Sequence, residues 1–188
     1  NGADPGEAMP QGRNWADYDG FVITGSSLHA YDTDFAVTNQ IALVAQAAEH
    51  ALPIFGSCWG LQIAAVAAGG EVGLSPRGRE VGFARKIALN AAGHAHPMFA
   101  GKPAVFDAPC IHYDEVVRLP ENATLLASNR HSAVQAAVIP LGRSEVWAVQ
   151  YHPEFDLEFR VILHCPHLAA SLSPGIRPRP DRAALYAL

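Results

Sequence analysis

Charge is what this chain has least of. Charged side chains make up 16% of its 188 residues, and 18 acids against 13 bases leave a net charge of -5 with no basic cluster. Proteins that follow a phosphate backbone gather Lys and Arg along one face, so nucleic acid is not an expected partner. Long apolar runs are missing too. The alanine-rich stretch after Cys58 stops at Gly69-Gly70, short of the roughly 18 residues that a membrane span needs, and Asn1-Gly2-Ala3-Asp4-Pro5 does not read as a signal peptide. Cysteine is scarce: Cys58, Cys110 and Cys165 form no metal-ligand spacing and are odd in number. That usage fits a reducing compartment, the cytoplasm, and predicts neither metal nor cofactor.

What is present is apolar. With 49% hydrophobic residues the chain has material for one core, and residues 1–188 are expected to form a single domain with an irregular lead-in (1–17) and a surface tail (169–188). Phe21-Val22-Ile23-Thr24 is a short apolar run closed by Gly25-Ser26-Ser27, the pattern of a buried strand entering a loop. Val37, Ile41, Val44, Ala45 and Ala48 then recur at helical spacing, with Asp34 near the start. Leu52-Pro53-Ile54-Phe55 repeats the strand pattern, and a helix-like stretch follows to Gly70. This alternation predicts parallel strands joined by helices. Further on, residues 81–89, 104–106, 115–119, 125–128, 133–139 and 145–151 read as strands with little helix between them, and 157–168 as a last, imperfect helix. No hydrophobic strand precedes Asp17, where a doubly wound domain usually has one.

Two segments carry chemistry. Cys58 lies in Gly56-Ser57-Cys58-Trp59-Gly60, between a strand and a helix start. Glycine on both sides suits a sharp turn that lifts a nucleophile out of the sheet. The helix N-terminus would lower the thiol pKa, the backbone N–H groups of Trp59 and of Gly25 are candidate oxyanion donors, and Gln62, four residues on, shares the helix face. About ninety residues later, Gln150-Tyr151-His152-Pro153-Glu154 ends an apolar run. Pro153 biases His152 toward extended backbone, in which His152 and Glu154 point the same way, so a Cys-His-Glu relay is expected. His112-Tyr113-Asp114-Glu115 either lines the site or forms a surface turn. His94, His96, His131, His164 and His167 belong to no metal motif, and Cys110 and Cys165 are expected to be structural.

These segments resemble the class I glutamine amidotransferases, above all the amidotransferase domain of GMP synthetase and its free-standing relatives. The resemblance rests on residues 18–25, 53–62, 112–116 and 147–155. It implies a three-layer α/β, flavodoxin-like fold with a mostly parallel central sheet, helices on both faces and an added antiparallel region. It also implies Cys58, His152 and Glu154 as triad, Gly25 and Trp59 as oxyanion donors and Gln62 against bound glutamine. Thiolate attack on the side-chain amide would release ammonia for an acceptor synthase or synthetase. Leu61, Thr24-Gly25-Ser26-Ser27 and Tyr113 depart from the family's commoner residues. The same triad could act on other γ-glutamyl compounds, and a silent interaction protein on this scaffold is the third alternative.

Overall fold

The structure, a computed structural model, describes residues 12–155. The expected helix at 157–168 and the tail lie outside them, as does most of the lead-in. Of the lead-in's described part, Trp15–Asp17 forms a 3-10 turn whose N-cap, Asn14, accepts a hydrogen bond from Ala16 N–H at 2.9 Å.

Seven strands form the main sheet, in the order β1 (Phe21–Ile23), β2 (Ile54–Ser57), β9 (Ser144–Val149), β8 (Ala136–Leu141), β7 (Thr124–Ser128), β4 (Glu80–Leu89), β5 (Val105–His112). β1, β2 and β9 run parallel; every pairing from β9 outward to β5 is antiparallel. The expectation of a mostly parallel sheet is therefore corrected: the parallel order is confined to the three strands that carry the site. Part of the cause is short connections: β8 and β9 are joined by Gly142-Arg143 alone, too few residues for the crossover that parallel neighbours require.

The sheet has two apolar faces because side chains alternate along its strands. Ala137, Ile139, Val146 and Ala148 face α1 (Phe35–Glu49) and α2 (Trp59–Ala67), whereas Ala136, Val138 and Val149 join Phe99, Phe106 and Tyr151 in a second core. The short α3 (Ala91–Ala95) and the 3-10 turn Pro97–Phe99 cover that second face. His94 lies in this short helix, and His96 packs edge-on against Trp147 with centroids 4.6 Å apart. A separate ladder pairs β3 (Glu71–Leu74) with β6 (Asp114–Arg118), and its Val72 and Val116 pack into the α2 core. β5 is longer than the expected 104–106 because Pro109 does not interrupt it. β5 is an edge strand, where a residue lacking N–H is tolerated.

Among the described residues no helix is long and apolar enough to cross a membrane.

Candidate active site

Cys58 stands where β2 gives way to α2, at φ 53° and ψ -99°. A β-carbon-bearing residue rarely occupies this region, and holding one there costs about 1–3 kcal/mol. Three neighbours hold it. The Cys58 N–H donates to the Val149 carbonyl at 2.8 Å, which ties the elbow to β9. A Cβ on Gly60 would lie 2.5 Å from the Ile23 carbonyl oxygen, and one on Gly56 2.6 Å from the Gly60 carbonyl carbon. Both glycines are thus needed for α2 to start this close to β1 and β2.

The histidine comes from the end of β9. Gln150 N–H donates to the Gln135 carbonyl and His152 N–H to the Pro109 carbonyl, at 2.9 and 2.8 Å, so β5 and the segment before β8 place the ring. His152-Pro153-Glu154-Phe155 is a turn closed by Phe155 N–H on the His152 carbonyl at 3.3 Å. Glu154 consequently meets His152 through a turn, not through the extended backbone expected. The contact itself is as expected: Nδ1 of His152 is 2.8 Å from Oε1 of Glu154. An Nδ1–H donated to the carboxylate leaves Nε2 as the basic atom, and Nε2 is buried with no hydrogen-bond partner among the described residues. Burial works to raise the Glu154 carboxyl, but the hydrogen bonds from His152 and Ser57 prevail and hold it below the usual carboxylate range.

The sulfur is less exposed than its place at a helix start implies. Sγ donates to the Ile111 carbonyl at 3.7 Å and accepts from Nε2 of Gln150 at 3.6 Å. Burial pushes the thiol up to about 12, against the lowering effects of the Trp59 backbone N–H and Gln150, and the charges of Glu154 and Asp114 add to the rise. The expected lowering of the thiol pKa is therefore overturned for the resting site, because desolvation outweighs the helix-terminal N–H. Cys58 rests as a thiol.

Cys58, His152, Glu154, Gly25 and Gln62 line one cavity of about 780 Å³. Trp59 lies behind it, with its indole Nε1–H donating to Gln40 at 2.9 Å and its backbone N–H toward the sulfur. Gln62 is nearly buried, and its amide donates to the Asp114 carbonyl at 2.9 Å and to Gln150 at 3.4 Å. It braces the wall as well as lining it.

His112, Tyr113 and Asp114 also line the cavity, which settles the choice left open between site wall and surface turn. His112 is buried, with Nε2 3.0 Å from Glu80 and Nδ1 2.9 Å from the Asp114 carbonyl. Burial works to raise the Glu80 carboxyl, but hydrogen bonds from His112 and Asn129 hold it low. Asp114 pairs with His29 at 2.6 Å, and its Oδ1 is buried without a partner among the described residues. His29, Gln150 and Ser57 were not singled out as site residues by sequence reasoning. Gln150 had a usable signal, standing two residues before His152 in the same motif; the others had none, because their partners lie far off in the chain.

A nucleophile elbow, an imidazole held by a carboxylate, and this sheet order place the molecule. The chain belongs to the class-I glutamine amidotransferase family, which it matches over residues 7–160. It is 43% identical over 82% of its length to a γ-glutamyl-L-1-hydroxyisopropylamide hydrolase of a Pseudomonas species, of which it covers 52%. It is 32% identical over 72% of its length to a glutamine-hydrolysing GMP synthase of Thermomicrobium roseum, of which it covers 23%. The chain thus spans about half of the first relative and a quarter of the second. Among solved structures, a glutamine amidotransferase from Thermotoga maritima superposes with a TM-score of 0.71 at 20% identity, covering 88% of this chain and 70% of that one. The resemblance read from the motifs therefore holds, and the fold is the family's three-layer α/β arrangement.

Proposed function

We propose that this chain hydrolyses the side-chain amide of glutamine, as the ammonia-releasing component for an acceptor synthase or synthetase. One observation carries the reading: among the described residues Nε2 of His152 is buried and unpartnered on the wall of the cavity that holds Cys58, while Nδ1 is fixed by Glu154. A base thus oriented, with no other partner, fits the removal of a proton from an incoming or adjacent group.

In the proposed sequence, Cys58 gives its proton to Nε2 of His152 as sulfur attacks the γ-carbonyl carbon. Such coupled transfer suits a thiol that burial keeps protonated at rest. The developing oxyanion takes hydrogen bonds from the backbone N–H groups of Gly25 and Trp59. His152 returns the proton to the leaving nitrogen and ammonia departs. Water, deprotonated by His152, then cleaves the thioester to glutamate and the free thiol. Gln62 holds the wall along which the substrate lies, and the buried Oδ1 of Asp114 suits a cationic amino group there.

A second reading keeps each of these steps and replaces ammonia by a larger amine. It is favoured by the cavity, whose 780 Å³ is in the range that encloses drug-sized ligands, and by the γ-glutamyl amide hydrolase among the relatives. The cysteine usage supports work in a reducing compartment such as the cytoplasm.

The test is to incubate the pure protein with glutamine, with a γ-glutamyl alkylamide and with an electrophilic glutamine analogue. We expect ammonia from the first and a mass adduct on Cys58 from the third, both lost in Cys58→Ala. Amine release from the second without ammonia from the first would select the second reading. Turnover that persists in Cys58→Ala would overturn both, and a pure protein inert toward all three would favour the silent scaffold.

A further inference from the structure

The mechanism so far gives no part to Ser57, the residue just before the nucleophile. It is 1% exposed, and its hydroxyl lies 3.1 Å from Oε1 and 3.0 Å from Oε2 of Glu154, with the Tyr151 carbonyl oxygen at 3.2 Å. A serine hydroxyl has one proton. Of the three acceptors two belong to one carboxylate, and a charged acceptor makes the stronger bond.

We propose that Ser57 is a positioning residue of the relay: by donating to Glu154 it fixes the carboxylate that orients His152, and so couples the strand carrying the nucleophile to the third member of the triad. The inference rests on the functional reading above.

The geometry explains why such a tie is useful. Glu154 sits on a turn after β9, its side chain is 30% exposed, and His152 is the other side chain bonded to it. A carboxylate held by one bond can rotate about its last torsion, which is broad for this side chain. Two donors on different sides remove that freedom. Ser57 is well placed to be the second because β2 and β9 are in parallel register, with Ser57 opposite Val149, and because the Cys58 N–H is bonded to that same Val149. Cys58, Ser57, Glu154 and His152 therefore lie on one path of covalent and hydrogen bonds, whose remaining step, from His152 to Cys58, is the proton transfer that catalysis itself makes. Ser57 also lines the cavity, but its hydroxyl is bonded to Glu154 and the Tyr151 carbonyl, so it acts through Glu154.

Ser57→Ala, Glu154→Ala and the double variant test this. For Ser57→Ala we expect kcat to fall about tenfold, the size of one charge-assisted hydrogen bond, with KM within twofold of the parent. The acid limb of kcat/KM should move to higher pH, since a carboxylate that loses a donor is protonated more easily. In the Glu154→Ala background the same substitution should cost less than twofold, because the group it acts through is gone. Equal losses in both backgrounds, an unchanged acid limb, or a Ser57→Ala protein that does not fold would each show a structural hydroxyl and overturn the proposal. Failure of the functional reading is separate: it is seen as activity surviving Cys58→Ala, whatever Ser57 does.

Discussion

A Cβ placed on Gly25 would lie 2.8 Å from Cε1 of His152, so the missing side chain of one residue sets where the other's ring can rest. On its other side the ring stacks on Phe155, with centroids 4.1 Å apart and planes parallel. The loop after β1 thereby does two jobs, since the same residue is the proposed oxyanion donor.

Gly25→Ala should therefore displace the imidazole rather than unfold the protein. A shift of about 1 Å at a reacting group can cost roughly a hundredfold in rate, and we expect that loss in kcat/KM with a melting temperature near the parent's. Steady-state kinetics beside a thermal melt checks it; a variant with full activity would show that the ring has room to spare.

Cys58 should be slow toward simple alkylating agents. Its burial-raised thiol leaves almost no thiolate at neutral pH, so iodoacetamide labelling of Cys58, followed by mass spectrometry, should climb with pH and show no plateau below about pH 9, near the unperturbed thiol value. Because the folded value lies above the unfolded one, this group's contribution to stability is intact below the unfolded value and is lost as pH rises toward about 12. A plateau near neutrality in the free protein would contradict a resting thiol.

Glu80 should matter to acid stability without touching substrate. Its oxygens take hydrogen bonds from His112, Asn129 and Gln135 at 3.0, 2.8 and 3.0 Å. The folded carboxyl is held low, so its contribution is present above the unfolded value of about 4.3 and is lost as pH falls through the folded one. Glu80→Ala strands two buried donors, on His112 and Gln135, and a half-buried one on Asn129, and we expect a loss of about 3 kcal/mol or more at pH 7. In urea titrations that deficit should narrow between pH 5 and 3 on the order of the carboxylate range.

Gly60→Ala should damage the fold itself. Its Cβ would press on the Ile23 carbonyl, a backbone atom that cannot turn aside. Overpacking of this kind costs about 1–3 kcal/mol, and the variant should melt earlier and lose activity together, in contrast to Gly25→Ala. A Gly60→Ala protein with the parent's melting temperature would show that α2 can slide off β1.

Much of this site was legible in one dimension because elbow chemistry is local. Gly56, Cys58 and Gly60 are spaced by the turn they form, and His152 and Glu154 lie two residues apart. The relation of His112-Tyr113-Asp114 to the cavity stayed open, since the segments that complete its wall, those of Gly25, Cys58 and His152, lie far off in the chain. β3 was missed for a related reason: Glu71-Val72-Gly73-Leu74 is too short to declare itself and is a strand because β6 pairs with it.

The strand and helix order up to Gly70 and the identity of the candidate nucleophile and base were written in the linear chain, because strand, turn and helix signals depend on neighbours a few residues apart. Folding alone decided that the outer half of the sheet is antiparallel, that the sulfur rests buried and protonated, and that Ser57 reaches Glu154 across 97 positions. Those outcomes depend on register and desolvation, which arise only when distant segments meet and exclude water.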